Sequence, residues 1–82
     1  MAKDLVEYIV KSIVSQPEMV LLSDAERNGR KVLKVFVVQR DMARVMGSRG
    51  LVVRAIRTIA LTAPHQFEDV IIEAIGSESL AQ

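Results

Sequence analysis

Cysteine and tryptophan are absent from this 82-residue sequence, and only two prolines, four glycines, one tyrosine and two phenylalanines occur. Without cysteine the chain can form neither a disulfide framework nor a thiolate metal site, and a reducing, cytoplasmic compartment is expected. No apolar run reaches the length of a membrane span, and Asp4, Glu7 and Lys11 interrupt the apolar N-terminal segment, unlike the core of a signal peptide. The sequence therefore predicts a soluble, unprocessed domain over residues 1–82, with a frayed tail at residues 76–82.

Residues that carry enzymatic chemistry are also scarce. The single histidine, His65, lies between a predicted helix and a predicted strand, where a turn histidine is far more common than a catalytic one. No Ser/His/Asp set, Walker lysine or cluster of metal ligands is found, so we expect no catalytic residue, no metal and no cofactor. The acids Glu68, Asp69 and Glu73 include a same-face pair on the last predicted strand, which a solvated strand face explains.

Charge is divided unevenly along the chain. Residues 30–57 contain eight basic residues and one acid, whereas the remainder contains three basic residues and nine acids. The segment therefore carries +7 and the remainder −6, which together give the net charge of +1. A basic middle third indicates a polyanion-binding face on an otherwise acidic body. The alternative is a chance scatter of charges over a solvated surface.

The first half of the chain has the pattern helix, strand, strand. Apolar residues recur at helical spacing behind Asp4, and with Glu7 in a capping-box position they predict a helix over about residues 4–15. The β-rich segments MVLLSDAE and KVLKVFVVQ flank Asn28-Gly29, a strong hairpin signal. In the second strand one face carries Lys34, so the other face, which consists of Leu33, Val35 and Val37, is expected to be buried.

The second half has the pattern helix, helix, strand. Asp41 is a plausible N-cap for a short helix through Met46, and a longer helix is predicted from about residue 51 to residue 63. Its buried stripe is expected to consist of Val52, Val53, Ile56, Ile59, Ala60 and Ala63. FEDVIIEAI predicts a third strand. The fold class is therefore α+β, a three-stranded sheet covered on one face by three helices.

Two of the four glycines, Gly47 and Gly50, interrupt the helical patterns in MARVMGSRGLVVRAIRTIA. The simpler explanation is a helix cap at Gly47 and room for the next helix at Gly50. A glycine-bounded turn at a helix N-terminus, however, presents free backbone N–H groups and lets a sugar–phosphate backbone approach closely. Four arginines surround this turn, and the sequence therefore indicates a phosphate site there: Arg44, Arg49, Arg54 and Arg57.

The segment VMGSRGLVVRAI resembles the signature of K-homology (KH) domains, in which an apolar pair precedes Gly-x-x-Gly and two spaced aliphatic residues follow. Val45, Met46, Gly47, Gly50, Val53 and Ile56 occupy those positions. The element order is similar to that of the type II, bacterial KH fold. The resemblance covers nearly the whole chain and is closest to the KhpA family of small bacterial single-domain KH proteins.

This resemblance implies a non-catalytic, single-stranded RNA-binding protein that acts as a post-transcriptional regulator or RNA chaperone. In such domains the loop clamps the backbone of about four nucleotides, and the bases lie in an apolar groove. The resemblance implies a clamp of Gly47, Ser48, Arg49 and Gly50, with Met46, Leu51 and Val53 in the groove or supporting it. The arginines around the turn complete the predicted RNA-binding residues: Arg44, Arg54 and Arg57. The chain departs from the family at Ser48 and Leu51, where basic residues are common, so weaker or partner-dependent RNA binding is the expected consequence.

The main alternative is a protein–protein interaction module. The outer side of the long helix is too apolar for an ordinary solvent face and predicts a homodimer interface of Leu51, Ala55, Thr58, Leu61 and Thr62. The resemblance also implies a larger KH-domain protein as a possible partner. RNA binding before and after charge reversal in the loop would distinguish the two interpretations.

Overall fold

The computed structural model describes residues 2–62 and 66–75, and the elements follow in the predicted order. The helices are α1 (Ala2–Ile13), α2 (Met42–Met46) and α3 (Leu51–Leu61), and the strands are β1 (Leu21–Arg27), β2 (Arg30–Val37) and β3 (Asp69–Ala74). Single turns of 3-10 helix lie at Pro17–Met19, Gln39–Asp41 and Ser48–Gly50. The α+β class is as predicted, whereas Ala63, His65 and the expected tail lie outside the described residues.

The sheet has the order β1-β2-β3. Strands β1 and β2 pair antiparallel across the hairpin, where Asn28 and Gly29 have φ angles of 55° and 80°. Positive φ at both central residues is the requirement of the type I′ turn that the Asn-Gly pair predicted. Strand β3 pairs with β2 in parallel. Parallel pairing requires a long crossover connection, and this connection contains α2, α3 and the glycine loop.

The hydrophobic core lies between the sheet and the helices. Leu33, Val35 and Val37 are fully buried on one face of β2 and join one cluster with Val6 of α1 and Ile56 of α3. This is the face that the sequence predicted to be buried. Each Å² of apolar surface buried here contributes roughly 25 cal/mol to stability. The contact between the sheet and the helices is therefore the main source of stability.

The opposite face of β2 is less exposed than its sequence suggests. Val32, expected on the solvent side, is only 4% exposed. It lies on the central strand, with Ala25 of β1 and Asp69 of β3 as its register partners, so neighbours shield it from both sides. On the same face Lys34 forms an ion pair with Glu73 of β3 at 3.7 Å.

The predicted capping box of α1 is wrong. The helix begins at Ala2 and not at Asp4, so both Asp4 and Glu7 lie within it. Glu7 instead forms an i,i+4 ion pair with Lys11 at 2.7 Å, a pairing that supports the helix interior.

Asp41 occupies the predicted N-cap position of α2, but its side chain makes no hydrogen bond to that helix. Its carboxylate accepts hydrogen bonds from the backbone N–H and hydroxyl of Ser15 and the backbone N–H of Gln16, at 2.9–3.3 Å. At 1% exposure it is the only buried charged side chain within the described residues. Asp41 therefore joins the end of α1 to the start of α2.

The surroundings of Asp41 predict a pH dependence of stability. Burial alone would raise the pKa of Asp41, but the hydrogen bonds from Ser15 and Gln16 and the positive charge of Arg44 hold this pKa below its ordinary value of 3.8. Because the folded-state pKa is lowered, the contribution of the carboxylate is complete above pH 3.8 and disappears as the pH falls through the folded-state pKa. Asp41→Asn should therefore lower the melting temperature at neutral pH, and its difference from the wild type should shrink in acid. The exposed Asp24 supplies the control, since Asp24→Asn should leave stability within about 0.5 kcal/mol. A gap that stays constant into acid would contradict this role of Asp41.

Candidate nucleic-acid interface

The glycine loop, residues 47–50, joins two helices of unequal length. Helix α2 has only 5 residues and ends when Gly47 donates its N–H to the carbonyl of Ala43 at 2.9 Å. Helix α3 has 11 residues and begins at Leu51. A hydrogen bond of 3.2 Å from the N–H of Gly50 to the carbonyl of Gly47 closes the loop between them. The loop is therefore a single defined turn.

Gly47 is required by the packing of the loop. Its φ of 75° and ψ of 174° lie in a region that residues with a Cβ atom rarely adopt. A Cβ atom at this position would lie 2.5 Å from Cγ2 and 2.8 Å from the backbone nitrogen of Val52. The missing side chain therefore lets the loop lie directly against the first turn of α3.

Gly50 has a different environment. Its φ of 74° is left-handed, but an added Cβ atom would contact only Cγ1 of Val53, at 3.8 Å. A Cβ atom would therefore fit at Gly50 in ordinary van der Waals contact with Val53, whereas at Gly47 it would clash with Val52.

The two residues between the glycines offer unused hydrogen-bond donors. The backbone N–H groups of Ser48 and Arg49 have no acceptor among the described residues. Both residues are exposed, and Arg49 adopts a left-handed φ of 56°. A left-handed backbone costs a residue with a side chain roughly 1–2 kcal/mol. Free N–H groups beside the positive end of a helix dipole are the type of donor that anions accept hydrogen bonds from.

The ion pairs divide the basic middle third into two groups. Strand β3 and the residue before it neutralise three cations: Glu68 pairs with Arg30 at 3.3 Å, Asp69 with Arg57 at 2.8 Å, and Glu73 with Lys34 at 3.7 Å. The other five form no ion pair with a described residue: Lys31, Arg40, Arg44, Arg49 and Arg54. Four of these five lie on the loop, on α2, on the first turn of α3 or on the turn before α2. The unpaired positive charge is therefore concentrated around the loop.

The structure separates the predicted site residues by exposure. Ser48, Arg44, Arg49, Arg54, Met46 and Leu51 are exposed around the loop. Val53 is only 5% exposed, and its Cγ1 lies 3.8 Å from the position that a Cβ atom on Gly50 would take. Arg57 is turned toward β3, where it also donates to the carbonyl of Val70 at 3.4 Å.

Arg40, which is not among the RNA-binding residues predicted from the sequence, is exposed on the 3-10 turn that leads into α2. Its position within the basic segment was visible in the sequence. The signal that singles it out is the absence of an ion pair within the described part of the chain, and this depends on the fold.

The predicted dimer residues lie on the outer side of α3. Leu51, Ala55, Thr58, Leu61 and Thr62 are all exposed in the isolated chain, with Leu51 at 59% and Leu61 at 40%. The hydroxyl groups of Thr58 and Thr62 donate to carbonyls of their own helix, at 3.0 and 2.6 Å. This outer side therefore has no threonine hydroxyl that still needs a partner.

Residues 2–62 and 66–75 contain neither a candidate metal centre nor a candidate membrane span. No group of three or more acidic, histidine or cysteine side chains in this part of the chain could hold a metal ion. Nor does any helix there combine the length and the apolar character needed to cross a bilayer.

The family model described as KhpA/KhpB, KH domain matches residues 3–73. The chain is 35% identical over 74 residues to RNA-binding protein KhpA of Clostridium perfringens, which covers 89% of this chain and 99% of that protein. RNA-binding protein KhpA of Borreliella burgdorferi is 39% identical over 56 residues, 68% of each chain. RNA-binding protein KhpA of Treponema pallidum is 29% identical over 65 residues, 79% of this chain and 81% of that one. Among solved structures, none matches the chain significantly.

The unequal environments of the glycines predict unequal costs of substitution. Gly50→Ala should destabilise the fold by about 1–2 kcal/mol, the cost of a left-handed backbone for a residue with a Cβ atom. Gly47→Ala should cost more, because the new atom also meets Val52. Urea unfolding measures both changes.

Gly29→Ala is the matched control, because Gly29 has a φ of 80° and open space around the missing side chain. It should behave like Gly50→Ala. A cost for Gly47→Ala no larger than that of Gly29→Ala would contradict the packing role of Gly47.

Proposed function

The chain belongs to the KhpA/KhpB family of KH domains, and we propose that it is a single-stranded RNA-binding protein whose glycine loop clamps the RNA backbone. The relatives are named RNA-binding proteins and not enzymes, and this chain is not an enzyme either. The proposed role is that of a cytoplasmic post-transcriptional regulator or RNA chaperone. We propose one KH domain over residues 1–82, of which the family model covers 3–73.

The observation that carries this proposal is the pair of unused N–H donors at Ser48 and Arg49. They lie in the turn just before α3, both residues are exposed, and the nearby charges of Arg44 and Arg54 are unpaired within the described chain. Phosphate oxygens accept hydrogen bonds from backbone N–H groups and are attracted by guanidinium groups. The loop therefore offers directed donors, steric access and positive charge at one place.

The apolar residues beside the loop suit the bases. Met46 and Leu51 are exposed on either side of it, although exposed apolar side chains are costly without a partner. None of the aromatic residues flanks the loop in sequence, so bases would pack on aliphatic surface and not on rings. Because Ser48 and Leu51 stand where the family commonly has basic residues, the loop has fewer positive charges to contact phosphates. This favours moderate RNA affinity.

The test of the clamp is charge reversal in the loop, by Ser48→Asp combined with Arg49→Asp. Both side chains are exposed, acids are favourable near a helix N-terminus, and aspartate tolerates the left-handed backbone of Arg49. The melting temperature should therefore change by only a few degrees. RNA affinity, measured by fluorescence anisotropy, should fall at least tenfold, about 1.4 kcal/mol.

A control with the same change of charge lies on β1, where Ser23 and Arg27 are exposed. Ser23→Asp combined with Arg27→Asp should keep most of the RNA affinity, because β1 is remote from the loop. Equal losses in the two double variants would mean that only net charge matters. If the loop variant binds RNA with the same affinity as the wild type, the loop is only a connector between two helices.

The second candidate function, protein–protein association through the outer side of α3, is favoured by the exposed Leu51 and Leu61. The partner would be a second copy of the chain or a larger KH-domain protein. This surface borders the loop, because Leu51 is the first residue of α3 and directly follows Gly50. Arg54, a proposed RNA-binding residue, lies about one helical turn after Leu51. RNA binding and association would therefore influence each other.

Association is tested by Leu61→Glu, which places a charge on the outer side of α3 about 15 Å from the loop, at 1.5 Å per residue. The variant should be monomeric by light scattering at concentrations at which the wild type is dimeric, with an unchanged circular dichroism spectrum. Leu5→Glu, at an exposed leucine of α1, should leave the dimer intact. A wild-type protein that is monomeric at high concentration would exclude the homodimer.

A further inference from the structure

Arg40 lies outside the KH loop, but the backbone connects it to α2 as part of one helical segment. The 3-10 turn Gln39–Asp41 runs directly into α2, because Asp41 and Met42 both have helical φ and ψ angles. Arg40 and Arg44 are four residues apart and therefore lie on the same side, one turn from each other. Both are exposed, whereas Asp41 and Val45 point from the other side of this segment into the protein.

The charge of Arg40 is available for a ligand. No acid among the described residues pairs with it, in contrast to Arg30, Lys34 and Arg57. The Asp41 carboxylate beside it in sequence is buried and is occupied by Ser15 and Gln16. Arg40 therefore adds exposed positive charge roughly 10 Å before Gly47, at a rise of about 1.5 Å per residue.

We propose that Arg40 and Arg44 form a phosphate-binding extension of the loop along α2, so that the RNA footprint exceeds the nucleotides held by the loop itself. This inference rests on the proposed function. The ligand is the backbone of single-stranded RNA, which continues past the loop toward the start of α2. The contact is electrostatic and therefore independent of sequence.

The extension is tested with Arg40→Ala and a labelled oligouridylate of about eight nucleotides, roughly twice the length that a KH loop clamps. The variant should lower the slope of log affinity against log salt by about 0.7, the value for one phosphate contact on a single strand. When the salt concentration rises fourfold, the factor by which Arg40→Ala loses RNA affinity should therefore be about 2.6-fold smaller than the factor for the wild type. Because Arg40 makes no ion pair or hydrogen bond to a described residue, the melting temperature should not change.

Arg27→Ala is the matched control, since Arg27 is exposed, forms no ion pair with a described residue and lies at the hairpin end of the sheet. It removes the same charge and should leave the slope unchanged. A tetranucleotide, titrated by NMR so that weak binding is measurable, should bind the wild type and both variants equally. Equal slopes for Arg40→Ala and Arg27→Ala, or an equal effect of Arg40→Ala on both RNA lengths, would overturn the extension.

The loop variant separates this inference from the function on which it rests. If RNA binding depends on the loop but not on Arg40, the extension alone is disproved. If the wild-type protein binds neither oligonucleotide, both the clamp and the extension are disproved.

Discussion

The buried carboxylate of Asp41 is the interaction on which the geometry of the loop depends. Helix α2 has 5 residues, far fewer than an isolated helix needs in water. Its position must therefore come from tertiary contacts, and Val45 packs its middle into the core. At its start Asp41 holds Ser15 and Gln16 of the segment after α1, and beyond its end Gly47 packs against Val52 of α3. With the burial of Val45, these two contacts position a short helix and the loop that follows it.

The sheet contributes to the site by neutralising cations that lie away from the loop. The three acids at and before β3 pair with two cations of β2 and one of α3. Exposed ion pairs of this kind add little stability, typically below about 1 kcal/mol each. Their effect is instead on the electrostatic field, because neutralised cations attract polyanions less. Most of the unpaired cations of the basic middle third therefore lie around the loop, where the unused N–H donors also lie.

The two glycines of the loop have separate physical functions, although the motif treats them alike. Gly47 avoids a clash with Val52, whereas Gly50 supplies a left-handed backbone at a position where a Cβ atom would not clash. Arg49 between them has a left-handed backbone despite its side chain. Strain at an exposed arginine with a free N–H group is typical of a site where ligand contacts matter more than stability. The loop is thus shaped from within by packing and is accessible from outside.

The sequence by itself determined the element order, the hairpin turn and the buried face of β2, because these depend on local periodicity and turn chemistry. The glycine loop and the arginines around it were also visible as a motif. Only the tertiary structure decided which charges are free, since Arg57 differs from Arg54 through Asp69, which is distant in sequence.

Tertiary contacts also decided the role of Asp41. Its position before a short helix predicted a local cap, yet its partners lie 25 and 26 residues away. A side chain chooses among hydrogen-bond donors by their distance in space, and the fold brought Ser15 and Gln16 to the carboxylate. Local patterns record the preferences of neighbouring residues, whereas ion pairs and buried polar contacts depend on how distant segments meet.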